Sequence, residues 1–165
     1  MFGRPPEDAR VRVGRLYDAY GASLYRYAVL LLMDPAAAED AVQQVFTALL
    51  RSHRQLEDEA AYLRTAVRNE CYSTLRRRRV RREIADGAVL EAVHPGVPPE
   101  ERLALEHALR ALTPEQRDVV HLHMFEGLTF REIATLTATS INTIASRYRS
   151  ALAALRTRLT SSWTK

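Results

Sequence analysis

Apolar residues recur along the chain at steps of three and four, the spacing that places side chains on one face of an α-helix. In the first part of the chain this face comprises Leu16, Tyr20, Leu24, Tyr27 and Leu31. The pattern predicts a first helix from about Glu7 to Met33.

Two more helices are predicted in the first half. Asp34 and Pro35 form a helix start, with Asp as N-cap and Pro at the first position, and the helix continues to about Ser52. Its apolar stripe is Ala38, Ala41, Val42, Val45, Phe46 and Leu49, and its polar side is Glu39, Asp40, Gln43, Gln44 and Thr47. A third helix is predicted from about Ala60 to Arg79, with an inward face of Leu63, Ala66, Val67, Cys71 and Leu75.

Residues 82–99 interrupt the helical pattern. Gly87, Pro95, Gly96, Pro98 and Pro99 fall within this stretch, which is typical of a linker. A short helix from about Ala88 to Ala92 is compatible with its sequence. We therefore expect domains at 1–81 and 100–165, joined by a flexible linker at 82–99.

The second domain is predicted to hold four helices. The first covers Glu100 to Ala111, and the second starts at the cap Thr113 and stops before Gly127. Thr129 and Glu132 have capping-box spacing for a short third helix ending at Leu136. A turn over Thr137–Ser140 leads to a last helix that has Ser140 as its N-cap and ends near Leu159. The fold class is thus all-α, with two small helical domains.

The short helix, the turn and the long last helix form a helix-turn-helix pattern. Its expected apolar contacts are Ile133, Ala134, Leu136, Ile141, Ile144, Tyr148, Leu152 and Leu155. The last helix then exposes Asn142, Thr143, Ala145, Ser146, Arg149 and Ser150, which suit the major groove of DNA. Arg131, Arg147 and Arg156 are candidates for phosphate contacts. The alternative is an ordinary helical hairpin with a polar outer face.

Charge adds a second candidate for a nucleic-acid surface. The 165-residue chain has a formal net charge of +4, and Arg76, Arg77, Arg78, Arg79, Arg81 and Arg82 lie within seven positions. Such a run is an electrostatic footprint for phosphate. The alternative is a solvated charged stretch at a helix end.

The sequence offers little support for a disulfide, a metal site, catalytic activity or membrane insertion. Cys71 is the single cysteine, so neither an internal disulfide nor a cysteine-based metal site can form. His121 and His123 are two positions apart and do not face together on a helix, so we expect no metal, no cofactor and no catalytic activity. Residues 1–15 lack the apolar core of a signal peptide, and the run Ala28–Met33 is too short to span a bilayer. We expect a cytoplasmic protein without membrane insertion.

Two motif sets resemble the sigma-70 family of bacterial RNA polymerase sigma factors. Residues 108–120, 129–134 and 142–152 resemble region 4, and residues 16–20, 38–46 and 62–69 resemble region 2. Their order, with a short linker and no intervening region, is similar to the extracytoplasmic-function (ECF) group. The resemblance covers nearly the whole chain.

The resemblance implies a dissociable initiation subunit of RNA polymerase that is held by an anti-sigma factor when free. Region 2 would open and bind the minus-ten promoter element. There Asn69 matches the family's base-reading Asn, with Tyr62, Arg64 and Arg68 as neighbours and residues 56–61 completing a pocket for a flipped base.

Region 4 would bind the minus-thirty-five element as duplex DNA. The resemblance implies base readers at Ser146, Arg149 and Ser150, with contacts from Asn142, Thr143, Arg147 and Arg131. Core polymerase would contact Glu39, Asp40, Gln43 and Gln44 through a basic hairpin of its largest subunit, and the first two helices of region 4 through the flap of its second-largest subunit.

Several positions depart from the family pattern. Tyr62 replaces the usual Trp, Ala138 replaces the usual turn Gly, Asn142 replaces a Gly, and Ala145 replaces a basic residue. Because of these changes, the exact promoter sequence cannot be inferred from the family pattern. Two other interpretations remain open: a dimeric helix-turn-helix regulator, and a sigma-like protein that sequesters polymerase without initiating.

Overall fold

A computed structural model describes residues 8–52, 56–81, 96 and 98–162. These residues form helices α1 (Ala9–Leu32), α2 (Pro35–Arg51), α3 (Glu59–Arg81), α4 (Pro99–Arg110), α5 (Pro114–Met124), α6 (Phe130–Thr137) and α7 (Ile141–Ser162). The all-α fold class is confirmed. The helix suggested at 88–92 and most of the expected linker lie outside the described residues.

The contacts divide the chain into two compact units, and each is described by itself. The first contains the described residues of 8–28 and 36–81, and the second contains residues 29–35 and those from 96 to 162. Residues 29–35, the end of α1 and the turn into α2, are thus grouped with the second unit. In the described part of the chain, no helix is long and apolar enough to cross a membrane.

The core of the first unit follows the predicted stripes closely on α2. Every residue of the α2 stripe is buried, and every residue of its predicted polar side is exposed. On α3, Leu63, Val67 and Cys71 are fully buried, whereas Ala66 and Leu75 are only half-buried. The buried face of α3 is therefore narrower than predicted, and a larger part of this helix is accessible to solvent.

The starts of the helices in the second unit are capped as predicted. The Thr113 hydroxyl accepts a hydrogen bond from the Gln116 amide, and the Gln116 side chain accepts one from the Thr113 amide. Thr129 and Glu132 form the same reciprocal box at the start of α6. Each box satisfies amides that a helix start otherwise leaves unpaired.

A buried arginine links helix ends within the second unit. Arg117 is 6% exposed, and its guanidinium donates to the carbonyls of Leu109 at 3.1 Å, Leu31 at 3.0 Å and Leu112. The carbonyls of Leu109 and Leu31 belong to last turns of helices, where no amide of the same helix is available. A cation at such a position also interacts favourably with the helix dipole.

Candidate nucleic-acid and polymerase surfaces

The turn of the helix-turn-helix is formed without glycine. Ala138 ends α6 in the left-handed conformation, with φ 50° and ψ 42°, and its amide bonds back to the carbonyls of Ala134 and Thr135. The Ser140 hydroxyl then accepts a hydrogen bond from the Thr143 amide at 3.1 Å. Ser140 therefore caps α7, as predicted.

An aromatic cluster joins α5, α6 and α7 behind this turn. The His123 ring lies 4.7 Å from the Phe130 ring and 4.9 Å from the Tyr148 ring. Its Nδ1 lies 2.8 Å from the Leu128 carbonyl, so this nitrogen carries the proton and donates it. The cluster positions the segment before α6 and with it the start of the helix-turn-helix.

The predicted apolar contacts of the helix-turn-helix are correct only in part. Ile133, Ala134 and Ile144 are buried, and Leu136, Tyr148 and Leu155 are half-buried. Ile141 and Leu152, however, are 43% and 38% exposed. They lie about 60° and 80° around α7 from Ile144, at the edge of the buried stripe, whereas the fully buried Ala151 is nearly in line with Ile144.

The candidate groove-reading residues lie on the outer side of α7. Asn142, Ser146, Arg149 and Ser150 are exposed, and Thr143 and Arg147 are half-buried. Arg131 is exposed at the start of α6. The Ser150 hydroxyl accepts a hydrogen bond from the Gln116 Nε2 at 2.9 Å, which ties it to α5. Ser146 and Arg149 are therefore the side chains best disposed to reach a base.

On α3, the candidate minus-ten residues do not all share one face. Tyr62 and Asn69 lie within about 20° of each other around the helix, and Asn69 is exposed whereas Tyr62 is half-buried. Arg64 and Arg68 are half-buried and lie about 140° and 100° around the helix from Asn69. The structure therefore brings Tyr62 and Asn69 together and places Arg64 and Arg68 on the flank.

The start of α3 is fixed by Asp58 and Glu59. The Asp58 carboxylate accepts a hydrogen bond from the Ala61 amide at 2.9 Å. Since α3 starts at Glu59, the expected pocket segment 56–61 is helical in its second half. The Arg15 guanidinium donates two hydrogen bonds to the Glu59 carboxylate, at 3.1 and 2.9 Å. These bonds lower the pKa of Glu59 against the opposing effect of burial.

The candidate polymerase residues form one surface of α2. Asp40, Gln43 and Gln44 line a shallow depression together with Thr47, Ala48 and Arg51. Glu39 and Gln43 also line a groove of 230 Å³ with Tyr17, Tyr25 and Val42, and the Gln43 amide donates to the Glu39 carboxylate at 3.1 Å. Burial, and then the charge of Glu39, raises the pKa of Tyr25.

Three residues of these surfaces were not predicted from the sequence. Tyr72 lies three positions after Asn69 and beneath the Arg68 guanidinium, and the helical spacing from Asn69 was a sufficient signal for it. Gln116 and Ser150 are 34 positions apart, and no local pattern indicates such a pair. His123 was considered only as a metal ligand, whereas it packs in the aromatic cluster.

Known proteins match both halves of the chain. Residues 16–81 match the family Sigma-70 region 2, and residues 102–155 match the family Sigma-70, region 4. The ECF RNA polymerase sigma factor SigL of Mycobacterium tuberculosis is 31% identical over 150 residues, which cover 86% of this chain and 85% of SigL.

The ECF RNA polymerase sigma factor BldN of Streptomyces coelicolor is 33% identical over 132 residues, which cover 73% of this chain. The match spans 50% of the length of BldN. Among solved structures, the sigma factor RpoE of Bartonella quintana, in complex with the anti-sigma factor NepR, has a TM-score of 0.67 at 24% identity. That likeness covers 92% of this chain and 96% of the other, and it supports the fold.

Proposed function

Since the chain belongs to the extracytoplasmic-function RNA polymerase sigma factors, we propose that it binds core RNA polymerase and directs promoter-specific initiation in the cytoplasm. In this role the second unit binds the minus-thirty-five element as duplex DNA. The first unit reads and melts the minus-ten element. The observation that carries the proposal is the presence of two separate surfaces, on α7 and α3, whose side chains suit these two forms of DNA.

The α7 surface suits the major groove. Asn142, Ser146 and Arg149 are exposed on a helix that is capped at its start and packed against an aromatic cluster at Tyr148. Arg149 is the candidate for bidentate bonds to guanine. Arg131, Thr143, Arg147 and Ser150 contact or position the DNA backbone, which sets the register of the helix but carries no sequence information.

The α3 surface suits an unpaired base. The Asn69 amide can donate and accept hydrogen bonds, and Tyr62 supplies an aromatic ring on the same side of the helix. Proteins bind single strands through such rings together with a basic track for the backbone. Arg76 and Arg79 supply that track on the side of Asn69, while Arg64 and Arg68 contribute charge from the flank.

The α2 surface suits a basic partner. Glu39 and Asp40 are exposed and adjacent to Gln43 and Gln44, so a partner meets both negative charge and amide groups. We assign this surface to a basic hairpin of the largest polymerase subunit. The flap of the second-largest subunit would bind α4 and α5, where Met124 and Phe125 at the end of α5 are 59% and 71% exposed.

We also propose an anti-sigma factor as the regulator of the free protein. The structural relative from Bartonella quintana is bound to the anti-sigma factor NepR. Such a partner would compete with polymerase for at least one of the surfaces on α2, α4 and α5.

The experiment that tests the function is transcription in vitro with purified core polymerase and promoters identified by mapping transcript starts after overexpression. The expected result is promoter-specific transcripts that require this protein. Absence of both binding to core and transcription would refute the proposal. Binding to core without initiation would instead favour a sequestering protein, and duplex binding without any binding to core would favour a conventional helix-turn-helix regulator.

A further inference from the structure

The outward side of α3 continues past Asn69 as one straight strip of side chains. Tyr62, Thr65, Asn69, Tyr72, Arg76 and Arg79 follow each other at steps of three and four, so they lie within about 100° of one another around the helix. Asn69, Arg76 and Arg79 are exposed, and Tyr62, Thr65 and Tyr72 are half-buried. We call these six residues the α3 strip.

Tyr72 holds an arginine against its ring. The guanidinium carbon of Arg68 lies 4.5 Å from the centre of the Tyr72 ring, within the range of a cation–π contact. Arg68 is one helical turn before Tyr72, so the pair forms from the helix itself and is present before any ligand arrives. The pair combines two flat groups, a ring and a guanidinium, and both kinds of group stack on nucleic-acid bases.

The position of Tyr72 matches the spacing of a nucleotide strand. Asn69 and Tyr72 are separated by about 4.5 Å along the helix axis, and successive nucleotides of one strand are separated by about 3.4 Å or more. A strand with one base at Asn69 therefore brings its neighbouring base to Tyr72. Arg76 follows one helical turn further on, where the next phosphates of that strand would lie.

Arg76 and Arg77, two adjacent arginines at the end of α3, differ in their surroundings. Arg77 donates to the Glu70 carboxylate at 3.0 Å, to the Thr74 hydroxyl at 2.8 Å and to the Ser73 hydroxyl at 3.3 Å. It is thus engaged along the flank of α3. Arg76 is exposed on the strip itself and forms no ion pair with any residue that the structure describes, so a phosphate can approach it.

We propose that the Arg68–Tyr72 pair is a stacking platform for one unpaired DNA base, next to the base at Asn69, with Arg76 binding the adjoining phosphate. The ligand is single-stranded DNA, because a stacking platform needs a base whose face is free, and bases within a duplex have none. The inference rests on the proposed function, since it extends the minus-ten surface of the same helix.

The test uses the full chain assembled with core polymerase. The probe is a single-stranded oligonucleotide with the minus-ten sequence of a mapped promoter, carrying one 2-aminopurine that is moved along the sequence. Stacking quenches the fluorescence of this base. The expected result is one position whose quenching requires Tyr72, together with a loss of affinity of roughly five- to hundredfold in Tyr72→Ala.

Matched variants separate stacking from other effects. Tyr72→Phe keeps the ring and should retain both affinity and quenching, and Arg68→Lys keeps the charge but loses the flat group and should weaken quenching. Arg76→Ala should reduce the salt dependence of binding more than Arg77→Ala, since only Arg76 is positioned on the strip. Thermal unfolding of each variant verifies that the first unit remains folded.

These measurements distinguish failure of the stacking platform from failure of the proposed function. If Asn69→Ala loses binding while Tyr72→Ala binds and quenches like the parent, the platform is wrong and the proposed function stands. If Tyr72→Phe loses as much as Tyr72→Ala, the hydroxyl and not the ring is responsible, which also overturns the platform. If the parent complex does not bind the single strand at all, the proposed minus-ten function fails and the platform fails with it.

Discussion

The outward faces of α3 and α7 both carry arginine, yet they differ in what accompanies it. On α7 the companions of Arg149 are the short polar residues Asn142 and Ser146. On α3 the companions of the arginines are the rings of Tyr62 and Tyr72 and the amide of Asn69. Short polar groups suit the edges of paired bases, and rings suit the faces of unpaired ones. Positive charge alone therefore does not distinguish the two surfaces, whereas their aromatic content does.

The two faces also differ in how they are held. Helix α7 is held by the Ser140 cap at its start and by contacts from other helices further along, namely the His123 cluster at Tyr148 and the bond from Gln116 to Ser150. The start of α3 depends on Asp58 and on the ion pair from Arg15 to Glu59. Changes in the packing of the second unit should consequently affect duplex binding and leave single-strand binding intact.

The largest effect is expected from Arg117→Met. This change keeps an apolar stem but removes the donors to three carbonyls in the second unit. Buried groups left without partners should lower the free energy of unfolding by about 2–4 kcal/mol. Urea unfolding followed by circular dichroism measures it. Arg110→Met is the control, because the Arg110–Glu106 pair lies one helical turn apart near the surface and should contribute below about 1 kcal/mol. Equal losses in both variants would contradict this view of Arg117.

Arg149→Ala should be the next largest change. Loss of a bidentate contact to guanine would weaken binding to the minus-thirty-five duplex by roughly five- to hundredfold, about 1–3 kcal/mol. Arg149→Lys is the control for charge, and it should recover the salt dependence but not the sequence preference. Competition binding with duplexes that differ by one base pair measures both. A lysine variant with full sequence preference would show that Arg149 contacts only phosphate.

Ala138→Gly should stabilise the protein. Ala138 has φ 50°, a conformation that costs residues with a side chain about 1–2 kcal/mol and glycine almost nothing. The greater freedom of glycine in the unfolded chain offsets part of this gain, so we expect about 0.5–1 kcal/mol. Thermal unfolding measures it, with Ala153→Gly in the middle of α7 as control, where a loss of about 1 kcal/mol is expected. Destabilisation by Ala138→Gly would refute strain at this turn.

The smallest effect concerns the pH dependence of the first unit. The pKa of Glu59 is lowered from the ordinary value of 4.5, first by the hydrogen bonds from Arg15. A carboxylate with a lowered pKa stabilises the fold above 4.5 and loses that contribution as the pH falls through the lowered value. Since the pair is partly exposed, its contribution should stay below about 1 kcal/mol. Urea unfolding at several pH values measures how the free energy of unfolding falls in acid. This fall should be less steep in Glu59→Gln than in the parent protein, and an equal fall would exclude the Arg15–Glu59 pair as a cause of the pH dependence.

Much of the fold was predictable because it depends on local patterns. The α2 stripe, the caps at Thr113, Thr129 and Ser140, and the stop at Gly127 all follow from spacings of a few residues. The ends of helices were less predictable: α7 continues to Ser162 and α3 to Arg81, since no residue there terminates a helix. Ile141 and Leu152, which were predicted as apolar contacts of the helix-turn-helix, are exposed at the edge of the buried stripe, because helical spacing does not give the width of that stripe.

The candidate site was predictable in its location and less so in its details. The helical pattern placed Arg149 on an outward face, and the family resemblance indicated Asn69; both are exposed. The bond between Gln116 and Ser150 joins residues 34 positions apart, so only the tertiary structure shows that the Ser150 hydroxyl is already engaged. The Arg68–Tyr72 contact joins residues four positions apart on one helix, so local spacing is sufficient to predict it.

A comparison of Asn69→Ala and Arg149→Ala on two DNA probes, each protein assembled with core polymerase, tests whether α3 and α7 bind different parts of the promoter. One probe is the minus-thirty-five segment as duplex, and the other is the minus-ten segment as a single strand. Separate surfaces predict crossed losses: Arg149→Ala weakens binding to the duplex alone, and Asn69→Ala weakens binding to the single strand alone. If both variants lose affinity for the same probe, or neither loses any, then α3 and α7 are not two separate promoter contacts.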